Sequence, residues 1–366
     1  CVGGGNTVAN FCRMDADGKN ARQLCFDQDH DWCPTLLNNG RVMYSRWEYS
    51  DTPHYFSRLL FSMNPDGTNQ AEYYGSNSYW PNSIFYARPL PDSPSAVVAI
   101  VSGHHGVPRM GELVIFDPGA GRFQNEGVVQ RIPGYGKPVE PVIMDTLVDN
   151  VWPKFLHPWP LSSKYFLVSC KPRPDASWGL YLVDIFDNML LIKETPGYAL
   201  FEPVPFRKTT APPVIPDKVK LEDKEATVYI ADIYKGQGLR GVPQGTVKNL
   251  RVFEIYYTYP QMGGHVHIGV EGPWDVHRIL GTTPVQADGS AFFKIPANIP
   301  VALQPLDAEG RAVQLMRSWF VGMPGESVSC VGCHERQNST PPAAATLASQ
   351  SAPLTLTPWK GPARCF

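Results

Sequence analysis

Four times between residues 8 and 208 a hydrophobic strand runs into a tight polar turn, and this recurrence restricts the fold more than any other feature of the chain. The unit reads Phe11-Cys12-Arg13-Met14-Asp15-Ala16-Asp17-Gly18-Lys19-Asn20 and returns as Leu60-Phe61-Ser62-Met63-Asn64-Pro65-Asp66-Gly67-Thr68-Asn69. Weaker copies are Leu113-Val114-Ile115-Phe116-Asp117-Pro118-Gly119 and Leu182-Val183-Asp184-Ile185-Phe186-Asp187-Asn188. Asp-Gly pairs join adjacent strands because both residues tolerate the positive φ that hairpins demand. Between the turns lie β-branched or aromatic runs at 41–44, 96–101 and 164–169, each of the kind that fills the buried central strand of a propeller blade. With 32 Gly and 36 Pro against 18% charged residues, turn formers dominate and helix formers are scarce. The sequence therefore predicts an all-β chain.

About four blades are legible, which predicts a partial or complete β-propeller of the TolB/YVTN-like kind over residues 1–210. Earlier blades are expected in a longer precursor or another chain, and Cys1 as the mature end of a lipoprotein is the other reading. Residues 206–218, Phe-Arg-Lys-Thr-Thr-Ala-Pro-Pro-Val-Ile-Pro-Asp-Lys, read as a stiff linker, since proline fixes φ and removes donors. Beyond it, residues 226–234, 250–259 and 291–295 alternate or run apolar as strands do, and Asp288-Gly289 reads as a turn. Residues 211–366 are thus expected to form a β-sandwich-like domain with an extended tail from Ser339 to Ser351.

Composition excludes some functions. Lys+Arg and Asp+Glu nearly cancel to a net charge of -2, which leaves no polybasic surface for nucleic acid. No uninterrupted apolar stretch reaches the roughly 18 residues of a membrane-spanning helix.

Chemistry concentrates at Cys330-Val331-Gly332-Cys333-His334, the Cys-x-x-Cys-His signature of c-type haem attachment. Two thiols one turn apart reach the two vinyl groups on one porphyrin edge, and the next histidine falls under the iron. A disulfide, or half of a zinc site, is the alternative; no second Cys-x-x-Cys pair exists. Haem c attached this way places the protein in a periplasmic or other extracytoplasmic compartment, where the six remaining cysteines are free to pair. For the opposite face of the iron the sequence offers His265 or His267, which alternate along a strand so that at most one faces the haem, or the thioether of Met316 or Met323. His277 reads as a surface residue or a neighbour of the ligands.

Two further groups are candidates. In Ser102-Gly103-His104-His105-Gly106-Val107-Pro108-Arg109-Met110-Gly111-Glu112, His104, His105 and Arg109 could hold a metal or position a small polar substrate, or simply connect two strands. In His30-Asp31-Trp32-Cys33-Pro34, His30 and Cys33 could share zinc or pack a blade entrance.

His30-Asp31-Trp32, Ser102-Gly103-His104-His105-Gly106 and Cys330-Val331-Gly332-Cys333-His334-Glu335, with Gly40-Arg41-Val42-Met43-Tyr44-Ser45-Arg46-Trp47-Glu48-Tyr49, Met63-Asn64-Pro65-Asp66-Gly67-Thr68, Asp288-Gly289-Ser290-Ala291, Pro296-Ala297-Asn298, Gln304-Pro305-Leu306-Asp307-Ala308-Glu309-Gly310-Arg311 and Met316-Arg317-Ser318-Trp319, resemble the hydrazine synthase alpha subunit family. That resemblance implies a propeller followed by a haem-bearing middle domain. It also implies a multisubunit complex that joins nitric oxide and ammonia into hydrazine, with the other subunits of a multi-haem assembly as partners. It implies, too, a tyrosine iron ligand shortly after the motif, with the motif histidine turned to zinc. Here Asn338 stands four residues after His334 and no tyrosine follows, so His334 is expected on the iron. A second Cys-x-x-Cys-His is also absent, so electron relay or redox chemistry within an assembly is the expected role, and a propeller scaffold with a subsidiary haem is the alternative.

Overall fold

The computed structural model describes residues 9–27, 30–48, 58–75, 78–103, 109–257, 275–335, 338, 345–360 and 364–365. The first strands, β1 (Cys12–Arg13) and β2 (Arg22–Gln23), form a two-stranded hairpin. Three four-stranded antiparallel meanders follow. They are β3 (Asp31–Leu36), β4 (Val42–Trp47), β5 (Arg58–Met63) and β6 (Ala71–Tyr74); β7 (Ser83–Pro89), β8 (Val97–Ser102), β9 (Glu112–Phe116) and β10 (Val128–Ile132); and β11 (Lys154–Pro160), β12 (Tyr165–Lys171), β13 (Gly179–Asp184) and β14 (Met189–Lys193). The first two blades touch through a single parallel pairing, Arg58 with Ser83. The described residues thus hold three complete blades and one hairpin, where the sequence motif recurs four times. The first copy closes its turn, with the Asp15 N–H bonding Lys19 O at 2.9 Å, but its strands are only two residues long.

Strand β8 explains the uninterrupted apolar run at its position. Val97, Ala99 and Val101 join the core shared with the first blade, whereas Val98 and Ile100 face Phe155, Phe166 and Val168 of the third. Successive side chains point to opposite faces, so a strand between two blades must be apolar at every position. The inner strands break this regularity: pairing slips between Trp32 and Thr35, Phe85 and Arg88, and Leu156 and Trp159. Each slip carries a non-glycine residue at positive φ, namely Cys33 (53°), Tyr86 (51°) and His157 (48°), the geometry of a β-bulge.

The second domain stacks two sheets. One has the order β18 (Ala291–Pro296), β15 (Glu225–Ile230), β21 (Ser327–Cys330); the other runs β20 (Phe320–Val321), β19 (Pro300–Leu306), β16 (Asn249–Tyr257), β17 (Asp275–Pro284), β22 (Arg364–Cys365). Val228, Ile230, Phe293 and Ile295 from the first pack with Leu250, Val252 and Val301 from the second, the sandwich core the sequence predicts. The tail is strapped to this domain by main-chain bonds of Leu354 with Phe292 and Lys294, and by a 2.8 Å Tyr229–Thr346 hydroxyl contact.

Residues 194–224 contain no strand or helix and are fastened to the first blade. Asp66 does this with both carboxylate oxygens. Oδ1 accepts from the Thr68 amide and hydroxyl within its own turn, and Oδ2 accepts from the amides of Lys218 (2.6 Å) and Val219 (3.1 Å). Neighbouring Gly67, at φ 89°, is required twice over: the turn needs the left-handed region, and a Cβ would stand 2.8 Å from Met323 Cε of the second domain.

Candidate functional site

The Cys-x-x-Cys-His segment leaves the end of β21, where Ile230 of β15 pairs in parallel with Cys330. It then folds back along residues 231–238: the amides of Ala231 and Asp232 donate to Cys330 O and Val331 O, and the Gly238 amide donates to Cys333 O at 2.9 Å. The approach is close enough to dictate residue type. A Cβ at Gly238 would lie 2.8 Å from Cys333 Cβ and 3.2 Å from His334 Cδ2, and one at Gly332 would lie 2.6 Å from Lys235 Cβ. His334 itself takes φ 61°.

His334 and Glu335 form one wall of a cleft of about 790 Å³ between the two domains. Gln237, Gly238 and Gln314 complete that side; across it stand Glu72, Arg122, Phe123 and Glu126 of the propeller. The volume lies in the roughly 300–1,000 Å³ range of small-molecule and cofactor sites. Burial holds the His334 imidazole below its ordinary value, against the opposing pull of Glu335 and Glu48. Cys330 and Cys333 sit behind the wall beside the sandwich core, unpaired, their thiols pushed up to about 12 and about 11 by burial. The donor set and the cleft fit a haem c: two thiols three residues apart, and an imidazole on the wall of a cofactor-sized space.

The other residues singled out in the sequence lie elsewhere. Met316 and Met323 pack with Ile255, Ala302, Trp319 and Val321, and neither lines the cleft. Arg109 lies over the Trp32 and Phe85 rings at 4.7 and 5.5 Å; the cleft's arginine is Arg122, 3.7 Å from Glu72. His104, His105, His265 and His267 lie outside the described residues. His277 pairs with Ile255 across β16 and β17. His30 accepts the Ala9 amide at Nδ1 and stacks on Trp32, whereas Cys33 lines a separate cavity of about 180 Å³ with Tyr86, Arg88, His157 and Glu202. Cys12, Cys25, Cys33, Cys170, Cys330 and Cys333 are free thiols. Asn338, where the resemblance leads one to expect tyrosine, staples the domains: it accepts from Arg122 Nε at 3.1 Å and donates to Pro118 O at 2.7 Å.

Sequence reasoning missed the polar contact that joins the domains. Arg46, 2% exposed, donates to Trp319 O (3.0 Å), meets Glu48 Oε1 at 3.0 Å and lies over the Trp319 ring at 4.3 Å. Trp319 Nε1 donates to Asp27 at 2.5 Å, and Ser318 donates to Glu48 at 2.7 Å. An arginine and two acids beside apolar strand residues were the available signal.

These features define a class: an all-β protein in which propeller blades dock on a two-sheet domain that presents a Cys-x-x-Cys-His loop to a cleft between them. Residues 245–335 match the family described as the hydrazine synthase alpha subunit middle domain, so the chain is hydrazine-synthase-alpha-like over that segment. Its fold is similar to that of hydrazine synthase from Kuenenia stuttgartiensis, with a TM-score of 0.68 at 18% identity over 86% of this chain; it spans 45% of the length of that chain. A comparison with curated proteins gives no match. Among the described residues no helix is long and apolar enough to cross a membrane.

Proposed function

We propose that this chain is a c-type haem redox protein of the hydrazine-synthase-alpha type, working in electron transfer or in chemistry on small nitrogen species within a larger extracytoplasmic complex. The observation that carries the reading is the position of His334, on the wall of a cofactor-sized cleft and one residue past two unpaired thiols. Cys330 and Cys333 would hold the porphyrin through thioether bonds, and His334 would ligate the iron. A haem bound there supplies a one-electron couple and a coordination site for a small ligand. The chain's own groups set the surroundings: Arg122 is held by Glu72, while Glu126 and Glu335 make the rest of the lining acidic. Attachment of this kind takes place outside the cytoplasm, which supports a periplasmic or equivalent location.

The test is an optical spectrum of the reduced protein before and after carbon monoxide. Fast ligand binding favours catalysis at the iron, an unreactive six-coordinate spectrum favours a carrier, and no haem spectrum at all removes the proposal. One observation favours a second reading, a propeller scaffold with a subsidiary haem: the outer strand β14 leaves Leu190, Leu191 and Ile192 between 45% and 62% exposed. That reading expects Cys330→Ala to leave partner binding intact.

A further inference from the structure

Cys25, Asp27 and Asp31 converge where the first blade meets the second domain, far from one another in neither sequence nor space. One ligand atom of each lies within 4.8 Å of the others. All three are buried, at 0%, 0% and 2% exposure. Asp27 Oδ1 accepts from Trp319 Nε1 and lies 4.0 Å from Arg46 Nε; Asp31 Oδ2 accepts from Asn10 Nδ2 at 3.4 Å. The second oxygen of each carboxylate, Asp27 Oδ2 and Asp31 Oδ1, is buried without any partner. A fourth group packs beside Cys25: the Tyr44 side chain, wholly buried in the same cluster, with a hydroxyl that is likewise unpartnered.

An unpaired carboxylate oxygen inside a protein is expensive, and two that approach each other cannot both stay ionised without a cation between them. Arg46 does not serve both. Its guanidinium is already shared with Glu48 and Trp319 O, and its approach to Asp27 is on the side of Oδ1. A single proton shared by the carboxylates, with the Cys25 thiol bonded to Asp31, would relieve their repulsion but would leave the Tyr44 oxygen with no role. We infer that Cys25, Asp27 and Asp31, with the Tyr44 hydroxyl as fourth donor, form a closed binding site for one structural zinc ion. Mixed sulfur and oxygen donors in a four-fold set suit zinc better than the all-oxygen shells of magnesium or calcium. The separations allow it, because donors about 2.0 to 2.3 Å from a common centre lie within 4.8 Å of one another. Through Asp27 and Trp319 the ion would tie the first blade to the second domain, a role independent of whether His334 binds haem.

The experiment is the zinc content and zinc-edge X-ray absorption of the full chain, equilibrated with zinc sulfate and freed of loosely held metal. The site predicts about one zinc per chain, with one sulfur at about 2.3 Å and oxygens near 2.0 Å. A Cys25→Ser/Asp31→Asn variant should retain at least tenfold less, whereas His334→Ala should retain it all. Absence of zinc from the wild-type protein, a shell without sulfur, or loss of zinc only in His334→Ala would overturn the assignment. The absorption spectrum of the wild-type protein decides alone should the double variant fail to fold.

Discussion

Replacing Arg46 by methionine is the sharpest test of how the domains are joined. The side chain is 2% exposed, so solvent cannot take over its contacts. Its loss strips Glu48 of a 3.0 Å partner, leaves Trp319 O without its donor, weakens the field at Asp27, and removes the cation from between the Phe61 and Trp319 rings. Leaving a buried charge uncompensated costs about 3–5 kcal/mol, more than methionine's apolar packing restores. A second change, Glu48→Gln, removes that stranded charge, so in the Arg46→Met background it should return roughly 1–2 kcal/mol, although alone it destabilises. Urea unfolding followed by tryptophan fluorescence measures both, and limited proteolysis at residues 206–218 reports whether the domains separate first. A loss below about 1 kcal/mol, or a double variant whose losses simply add, would refute the view that this buried pair anchors the interface.

Other expectations are equally specific. Gly238→Ala pushes a Cβ to 2.8 Å from that of Cys333, so overpacking should destabilise by about 1–3 kcal/mol and lower covalent haem content several-fold; Gly241→Ala, at φ 83° with open space around it, should cost about 1 kcal/mol and leave haem content alone. Asp66→Asn weakens the bonds to the Lys218 and Val219 amides, and a loss of about 1.5–3 kcal/mol with faster cleavage of the linker should follow in pulse proteolysis. Burial holds the His157 imidazole below its ordinary value, against the pull of Glu202, so the unfolded chain takes up the proton first. Stability is therefore intact above about pH 6.5 and erodes as pH falls below it, and His157→Gln should flatten the Tm profile there; an unaltered profile would contradict this.

Much of the fold was legible because its causes are local. The run at 96–101 is apolar at every position because β8 lies between two blades, and Asp66-Gly67 closes a hairpin through φ 89°. The proline-rich stretch at 206–218 lies in a segment with no strand or helix, as ring-locked backbone suggests. What escaped depends on contacts distant in sequence. Asp27 meets Trp319 across 292 positions, so nothing near residue 27 announces the junction. The bulges at Cys33, Tyr86 and His157 escaped for a different reason: none is the glycine or asparagine that marks positive φ. Met316 and Met323 were compatible with ligation or packing, and only their neighbours, Ile255, Ala302 and Val321, place them in the core.

Cys330 and Cys333 either carry a porphyrin or stand as free thiols. Peptide mapping of the mature protein by mass spectrometry, with and without iron-porphyrin mass on the fragment spanning residues 330–335, addresses this directly. One haem covalently held by both sulfurs is expected, lost in Cys330→Ala/Cys333→Ala. Recovery of that fragment as two free thiols or as a Cys330–Cys333 disulfide, from protein made by cells that mature other c-type cytochromes, would contradict it.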